Sequence, residues 1–390
     1  MSNSINVMVD EEFYADEDDE GPDVVLMTEQ LRIDDETHNL ILMKDGDGNF
    51  YNPEFGFTNI PFWDVASGYQ IKLREDAEAM WSGVPIPADA EINMEEGWNL
   101  VAYFPIYELS AEAGDFYVLS TIIDDVLIAK DSDGNFMRPA FNFSNMPPWR
   151  KSQGYQVKVE EDVVLTYPEE ADDRVQELGN KSYPIRAISP VPTGENMSVL
   201  VENLPMTDTS SDFVILAYSE QGVIVGTGYV SDGRSGLAVW GDDPTTEEID
   251  GLEDDESFEL YYSDLSIGIE TRLSPDTYLK GTSLNYMQDG FIALTVEERS
   301  AVILDHSLVS AYPNPFNSTT SISYGITQSG DVSLKVYNLS GQQISTLFEG
   351  HRKAGTYSAN LTADNLPSGL YLVKLEASDE VAMQKVMLIR

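Results

Sequence analysis

Short runs in which apolar and polar residues alternate recur along this chain, and a period of two is the mark of half-buried strands. Such runs lie over 69–73 and again over 155–159, each preceded by a short, wholly apolar strand over 40–43 and 126–129 that enters an Asp/Gly/Asn turn. Stretches near 24–31 and 115–122 break the alternation and read as short helical pieces. Further runs over 197–201, 213–218, 223–229, 236–240, 258–262 and 291–296 are separated by the turn signals Gly222, Asp232-Gly233, Gly241 to Pro244 and Asp289-Gly290. That spacing predicts an antiparallel β-sandwich over 191–300. A last set of about seven strands, from an extended, proline-stiffened start at 311–317 to a final run over 384–389, predicts a second, smaller sandwich.

Two stretches of the alternating pattern are copies of one another. Residues 40–72 and 126–158 align without a gap at an offset of 86. The shared residues include Lys44/Lys130, Asp45/Asp131, Asp47/Asp133, Gly48/Gly134, Asn49/Asn135 and Pro53/Pro139. They continue with Phe55/Phe141, Phe57/Phe143, Asn59/Asn145, Trp63/Trp149 and Gly68-Tyr69-Gln70/Gly154-Tyr155-Gln156. Two related β-rich repeat units are therefore expected, over 1–87 and 88–168. The second opens on Gly97-Trp98-Asn99-Leu100-Val101, and the first copy's counterpart is expected at Ser4-Ile5-Asn6-Val7, almost at the start of the chain.

The Asp-Gly-Asp-Gly-Asn and Asp-Ser-Asp-Gly-Asn turns of these copies admit two readings. Oxygens of Asp45, Asp47 and Asn49, and of Asp131, Asp133 and Asn135, can converge on calcium. The glycine stands fourth in each loop, however, rather than sixth as in an EF-hand, and Gly56 and Asn142 occupy the twelfth position. The other reading is a hairpin turn in which Asp-Gly supplies positive φ. Trp63 and Trp149 likewise can stack on a sugar face or fill the core at a fixed repeat position.

Charge changes the picture. The 390 residues carry 22 Lys and Arg against 68 Asp and Glu, a net charge of -46, with no cysteine and three histidines. At 42% hydrophobic the chain can still bury cores, which sets it apart from acidic disordered polymers. Its acidity repels phosphate backbones and anionic lipid, so neither nucleic acid nor such a membrane surface is an expected partner. No run of apolar residues is long enough for a transmembrane helix. The missing cysteines exclude disulfides, thiolate metal sites and a Cys nucleophile. Residues 306–390 hold six acids and six bases, so the preceding residues carry the whole of the -46. That break marks a domain boundary, and the polar run from Pro168 to Asp173 marks an acidic linker over 169–190. Spread over roughly 15,000 Å², the excess charges stand about 18 Å apart, beyond a Debye length of about 8 Å in physiological salt but within the ~30 Å of dilute buffer. Stability is expected to rise with salt, and more steeply with a divalent cation.

Candidate chemistry is sparse. Asp242, Asp243, Glu247, Glu248, Asp250, Glu253, Asp254, Asp255 and Glu256 form the densest acidic patch. It can be read as paired carboxylates for glycoside hydrolysis, as a cation-binding loop, or as a solvated surface, which is the simplest. Arg234 and Trp240 flank it and can meet a polar ligand. No GxSxG, HExxH, phosphate loop or dinucleotide fingerprint occurs. His38, His306 and His351 are scattered, and none is a credible catalytic base. No catalysis is expected of this chain.

The C-terminal residues are more specific. Tyr312-Pro313-Asn314-Pro315-Phe316-Asn317, then the stretch from Val336 to Ile344, the stretch from Gly355 to Leu375 and a basic end at Arg390 follow one another in order. This segment, 306–390, resembles the type A C-terminal sorting domain of the type IX (Por) secretion system, found on exported proteins of Bacteroidetes and allied phyla. The resemblance implies an Ig-like seven-stranded sandwich, with Pro313, Pro315, Gly369, Tyr371, Lys385 and Arg390 at recognised motif positions. It also implies partners in the outer-membrane translocon and sorting machinery, removal of the domain, and release or attachment to cell-surface lipopolysaccharide. The expected fold class is thus mainly β and multidomain, and the expected location is secreted or at the outer cell surface. The repeats more loosely resemble regions of other such exported proteins. Cargo of this kind also needs an N-terminal signal peptide, and residues 1–7 lack its basic and apolar regions. Either that signal has been removed or the chain is the tail of a longer protein; the degraded opening of the first copy favours the latter. The function expected is adhesion or ligand binding by non-catalytic β-domains, the alternative being the accessory and sorting tail of a larger secreted hydrolase.

Overall fold

Each repeat folds into a five-stranded antiparallel sheet, and the two sheets share one strand order. In the first, Ser2–Asn3 is followed across the sheet by Tyr69–Leu73, Leu40–Lys44, Phe50–Asn52 and Phe57–Thr58. In the second the order is Gly97–Ala102, Gly154–Val159, Val126–Lys130, Phe136–Arg138 and Phe143–Ser144. The register agrees residue for residue: Lys44 faces Phe50 and Gln70, and Lys130 faces Phe136 and Gln156. Even a slip in the ladder is copied, between Leu40 and Leu42 and between Val126 and Ile128. The computed structural model describes residues 2–16, 19–170, 190, 192–204, 213–243, 246, 249–265, 269–296, 309–312, 314, 316–326, 329–338, 341–352, 355–363, 366–377 and 380–389.

Pairing relocates the first copy's opening strand. Ser2 and Asn3 face Gln70 and Tyr69 just as Leu100 and Val101 face Gln156 and Tyr155. Asn3 is therefore the equivalent of Val101, and the opening strand is Ser2–Asn3 rather than 4–7. Each opening strand, paired within its own sheet, also reaches the other copy. Asn3 bridges to Gln153 of the second copy, and Val101 bridges to Ser67 of the first. The Ser4 N–H donates to the Ser152 carbonyl at 3.5 Å, and the Ala102 N–H to the Ala66 carbonyl at 2.9 Å. The result is an approximate two-fold interlock. At its centre Gly68 and Gly154 meet so closely that a Cβ on either would stand 3.2 Å from the other's Cα.

Both cores are built around the repeated aromatic residues. Trp63 and Trp149 are buried and pack against Tyr69 and Tyr155 at ring separations of 4.5 and 3.8 Å. The two tyrosine hydroxyls accept equivalent backbone N–H groups, from Asp64 at 2.7 Å and from Arg150 at 3.0 Å. Trp81 and Tyr167, also 86 residues apart, extend the match by packing 5.8 Å from Trp63 and 6.3 Å from Trp149. The helical pieces are short. Val24–Thr28 starts where the Asp23 carboxylate caps the N–H groups of Val25 and Leu26, and a 3₁₀ turn covers Tyr117–Leu119.

The repeats belong to the first of two compact units, which comprises Met1–Leu200, Gly236–Ser257 and Asn285–Ile292; the second comprises Val201–Ser235, Phe258–Leu284 and Ala293–Arg390. All six runs expected over 191–300 are strands, and Ile269–Leu273 and Pro275–Lys280 add two more. They are divided between the units: Asn196–Glu202 and Phe291–Val296 run from one into the other. In the second unit Ile269–Leu273, Phe258–Asp264, Phe213–Ser219 and Ile224–Tyr229 lie side by side, and Pro275–Lys280 pairs with Phe291–Val296.

The C-terminal module has seven strands among its described residues, in two sheets. One contains Val309–Tyr312, Thr319–Ile326 and Gly355–Thr362; the other runs Gln343–Arg352, Gly330–Asn338, Gly369–Ala377, Glu380–Leu388. Between them Ile322, Tyr324, Leu334, Val336, Val373 and Leu375 form a buried core.

Candidate functional site

The repeated Asp-rich turns use their first carboxylate to close the loop. Asp45 Oδ1 accepts the N–H groups of Asp47 and Asn49 at 3.0 and 2.8 Å, and its Oδ2 accepts Asn49 Nδ2 at 2.8 Å. Asp131 repeats this with Asp133 and Asn135 at 3.0, 2.9 and 2.8 Å. Asn59 and Asn145 then accept the next N–H in the chain, from Phe50 at 2.7 Å and Phe136 at 2.8 Å. The Asp131 carboxyl is turned inward although the residue keeps some exposed surface, and burial pushes it up to about 7 against the hydrogen bonds from Asn135. Loop closure thus occupies oxygens of Asp45 and Asp131 that a calcium site would need. Among the described residues no three His, Asp or Glu side chains gather as a metal-holding group. Beside the first turn a cavity of about 230 Å³ is lined by Asp45, Asp47, Asn49, Asp64, Trp98 and Asn99 among others. Asp64 spends its oxygens on Ala66 and Ser67 at 2.9 and 2.8 Å.

One face of the second repeat is a docking surface within the first unit. Phe136 and Phe143, with rings 5.2 Å apart at 42°, are both buried. Over them passes the strand Ser235–Trp240: a Cβ on Gly236 would stand 2.5 Å from the Phe143 ring. Asn145 Nδ2 donates to the Gly236 carbonyl at 3.0 Å, Phe291 packs on Phe136 and Phe141 at 6.0 and 5.5 Å, and the Arg138 guanidinium lies 4.9 Å from the Phe291 ring. In the first repeat the same pair, Phe50 and Phe57, holds the same geometry at 5.2 Å and 41°. There, however, Phe50 is 37%, Phe57 47% and Phe55 78% exposed. One fold thus carries two copies of a surface, one covered and one bare.

The remaining sequence candidates take structural roles. Asp243 pairs with Lys72 at 2.7 Å and Asp250 accepts the Asp243 N–H at 3.0 Å, so the acidic patch is partly tied into its own loop; Glu247 and Glu248 lie outside the described residues. Arg234 pairs with Glu202, while Trp240 is buried near Gly134. His38 is buried, with burial pulling its pKa down, and its Nδ1 accepts the Leu40 N–H at 3.0 Å. His351 lies 3.4 Å from Asp331, and His306 is outside the described residues.

In the C-terminal module the two ends of the motif meet. Asn314 donates from Nδ2 to the Lys385 carbonyl at 2.9 Å and accepts the Met387 N–H at 2.8 Å. Phe316 continues the clamp, donating to the Met387 carbonyl at 2.9 Å and accepting from Ile389 at 2.8 Å. Gly369 opens its strand opposite Leu388, Tyr371 is buried with its hydroxyl donating to the Pro367 carbonyl at 2.8 Å, and Lys385 is exposed. Pro313, Pro315 and Arg390 lie outside the described residues. Nothing local in the motif marks Asn314; only its reach across more than seventy positions reveals the role. On the last strand Val381, Met383 and Met387, followed by Ile389, are exposed large apolar side chains at every second position save Lys385.

Residues 310–389 match the family described as the secretion system C-terminal sorting domain. That decides the module. It is a sorting domain. The chain is an exported, β-rich cargo of the type IX system, addressed to its outer-membrane machinery and to the exterior or outer cell surface. No helix among the described residues is long and apolar enough to cross a membrane. No curated protein matches the chain. Among solved structures it is similar to dimeric latent PorU of Porphyromonas gingivalis at 8% identity and a TM-score of 0.21, over 78% of this chain and 32% of that one. It is also similar to PorZ, a surface component of the type-IX secretion system of the same organism, at 14% identity and a TM-score of 0.17, over 92% and 46%. A biofilm-associated protein's BSP domain aligns at 8% identity and a TM-score of 0.19, over 75% and 62%. The chain therefore spans about a third of PorU's length. Likenesses this distant carry no argument about the sorting domain's cargo.

Proposed function

We propose that this exported chain acts by binding, and that the exposed Phe50, Phe55 and Phe57 of its first repeat grip a protein partner at the cell exterior. The observation that carries this reading is the duplication: the equivalent Phe136 and Phe143 already hold a β-strand, with Gly236 against their rings. The partner expected is a β-strand that presents a small residue to the rings and an aromatic side chain beside it. Beads coated with the intact chain should adhere to cells and protein-coated surfaces, and Phe55→Ser with Phe57→Ser should reduce adhesion several-fold while leaving tryptophan emission unchanged. Equal adhesion by the folded double variant would overturn the proposal.

Calcium at Asp45, Asp47 and Asn49, or at Asp131, Asp133 and Asn135, belongs to the same reading as a second ligand. Because the first Asp of each turn is engaged by its own loop, only weak binding is expected; titration calorimetry without heat on adding calcium would remove it. The exposed apolar row on the last strand is the surface proposed for the sorting machinery. Removal of the sorting domain and attachment of the remainder to lipopolysaccharide are proposed in turn. A ladder of shortened, lipopolysaccharide-bearing forms on cells supports attachment, and a single full-length band counts against both steps.

A further inference from the structure

The cavity of about 230 Å³ beside the first Asp-rich turn lies where the two repeats interlock. One wall belongs to the first repeat, with Asp45, Asp47, Phe62 and Asp64. The other belongs to the second, with Asn93 from the strand Ile92–Met94 and Trp98 from the strand Gly97–Ala102. Main-chain contacts pin the walls together: the Gly68 N–H donates to the Leu100 carbonyl at 2.9 Å, and Ser67 bridges to Val101. The space is therefore preformed, as ligand pockets usually are. Trp98 is part-buried, and the Nζ atoms of Lys130 and Lys158 lie 4.9 and 5.6 Å from its ring centroid, which holds the indole in place. Trp63 and Trp149, by contrast, are sunk in the cores and present no face to a sugar.

The polar groups of the lining divide into engaged and unengaged. Asp45 is held by Asp47 and Asn49, and Asp64 by Ala66 and Ser67. Among the described residues the Asp47 carboxylate, the Asn93 amide and the Trp98 indole N–H make no hydrogen bond or ion pair. The cavity thus offers an acceptor at Asp47, a donor at Trp98 and both at Asn93, beside the apolar Phe62 and Leu100. An anionic ligand meets three carboxylates and is repelled. A metal ion or an ammonium finds one unengaged carboxylate and leaves the indole N–H without an acceptor. Hydroxyl groups use the whole set, because each O–H both donates and accepts, and a carboxylate's two oxygens can take two neighbouring hydroxyls. The C–H face of a sugar ring suits the apolar side. The volume is that of about eight waters at ~30 Å³ each, room for a single ring. We propose that this cavity binds one uncharged hexopyranose unit, directly and without a metal ion.

Saturation-transfer NMR on the intact chain tests this, with glucose, galactose, mannose and N-acetylglucosamine as probes. At least one of them should bind saturably in the millimolar range, as a lone sugar ring with few contacts does, and should bind equally well in EDTA. Asp47→Ala and Trp98→Phe should each weaken that binding about tenfold. Asp47 is exposed and its carboxylate makes no hydrogen bond in its own loop, so Asp47→Ala keeps the fold and serves even where Trp98→Phe does not. No saturable binding of any of the four sugars overturns the proposal, and so does equal binding by folded Asp47→Ala. Binding that EDTA abolishes overturns it too, because the sugar would then be held through a metal ion. Free sugars are the only ligands used, so the result does not depend on whether Phe50, Phe55 and Phe57 grip a protein.

Discussion

At the scale of single residues, the repeat provides its own controls. Gly48 and Gly134 share a φ of +83°, yet a Cβ at Gly48 would meet nothing within 4 Å, whereas at Gly134 it would stand 2.4 Å from Ala238 Cβ and 2.9 Å from the Trp240 ring. Gly48→Ala should therefore cost only the left-handed backbone strain, about 1–2 kcal/mol. Gly134→Ala should cost that and a further ~1–3 kcal/mol of overpacking. Urea unfolding followed by tryptophan emission measures the difference directly, because all five tryptophans fall in the first unit. Asp131 offers a second test. Its folded carboxyl titrates near 7 against an ordinary value of 3.8, so between those pH values the folded chain holds a proton that the unfolded chain has lost. Its contribution is therefore most favourable below about pH 4 and declines as pH rises through 7. Asp131→Asn removes the titration, and its urea midpoint relative to the parent should climb from about pH 4 to about pH 8. An offset that stays constant over that range would argue against the buried carboxyl.

Elements were legible in proportion to how local their causes are. The paired sheets follow from residues whose work is done within a few positions, such as Asp45 on Asn49 or Tyr69 on Asp64, so duplication of those residues announced duplication of the fold. Two strands were missed, Ile269–Leu273 and Pro275–Lys280, because each ends its row of strands and carries Glu, Arg, Asp or Lys where a buried strand would be apolar. The cross-contacts between repeats and the covering of Phe136 by Gly236 have no local signature at all: their partners lie from about 30 to about 150 residues away. The same holds for the Asn314 clamp, which joins the start of the sorting domain to its last strand. Asn314→Ala loses both hydrogen bonds, about 1–2 kcal/mol at an exposed site. If the joined ends are what the export machinery reads, the variant should accumulate in the periplasm while its cargo portion stays folded. Undiminished extracellular yield would separate the clamp from recognition.

For the whole molecule, charge sets the terms. The excess of -46 resides in the cargo portion, and the sorting domain is neutral. The melting temperature of the first unit should therefore rise between about 10 and about 500 mM NaCl, as the screening length shrinks from ~30 Å towards ~4 Å. A flat response would mean that the local ion pairs, such as Lys72 with Asp243, already neutralise what matters. The interlock of the two repeats has a different kind of consequence. Residues 2–4 rest on 152–153, made about 150 positions later, so the first copy cannot be completed until nearly all of the second has been synthesised. The contacts of the opening strand are also blind to which chain supplies it. Two molecules crowded together before folding can trade opening strands through identical contacts, which gives the fold a built-in route to domain-swapped dimers.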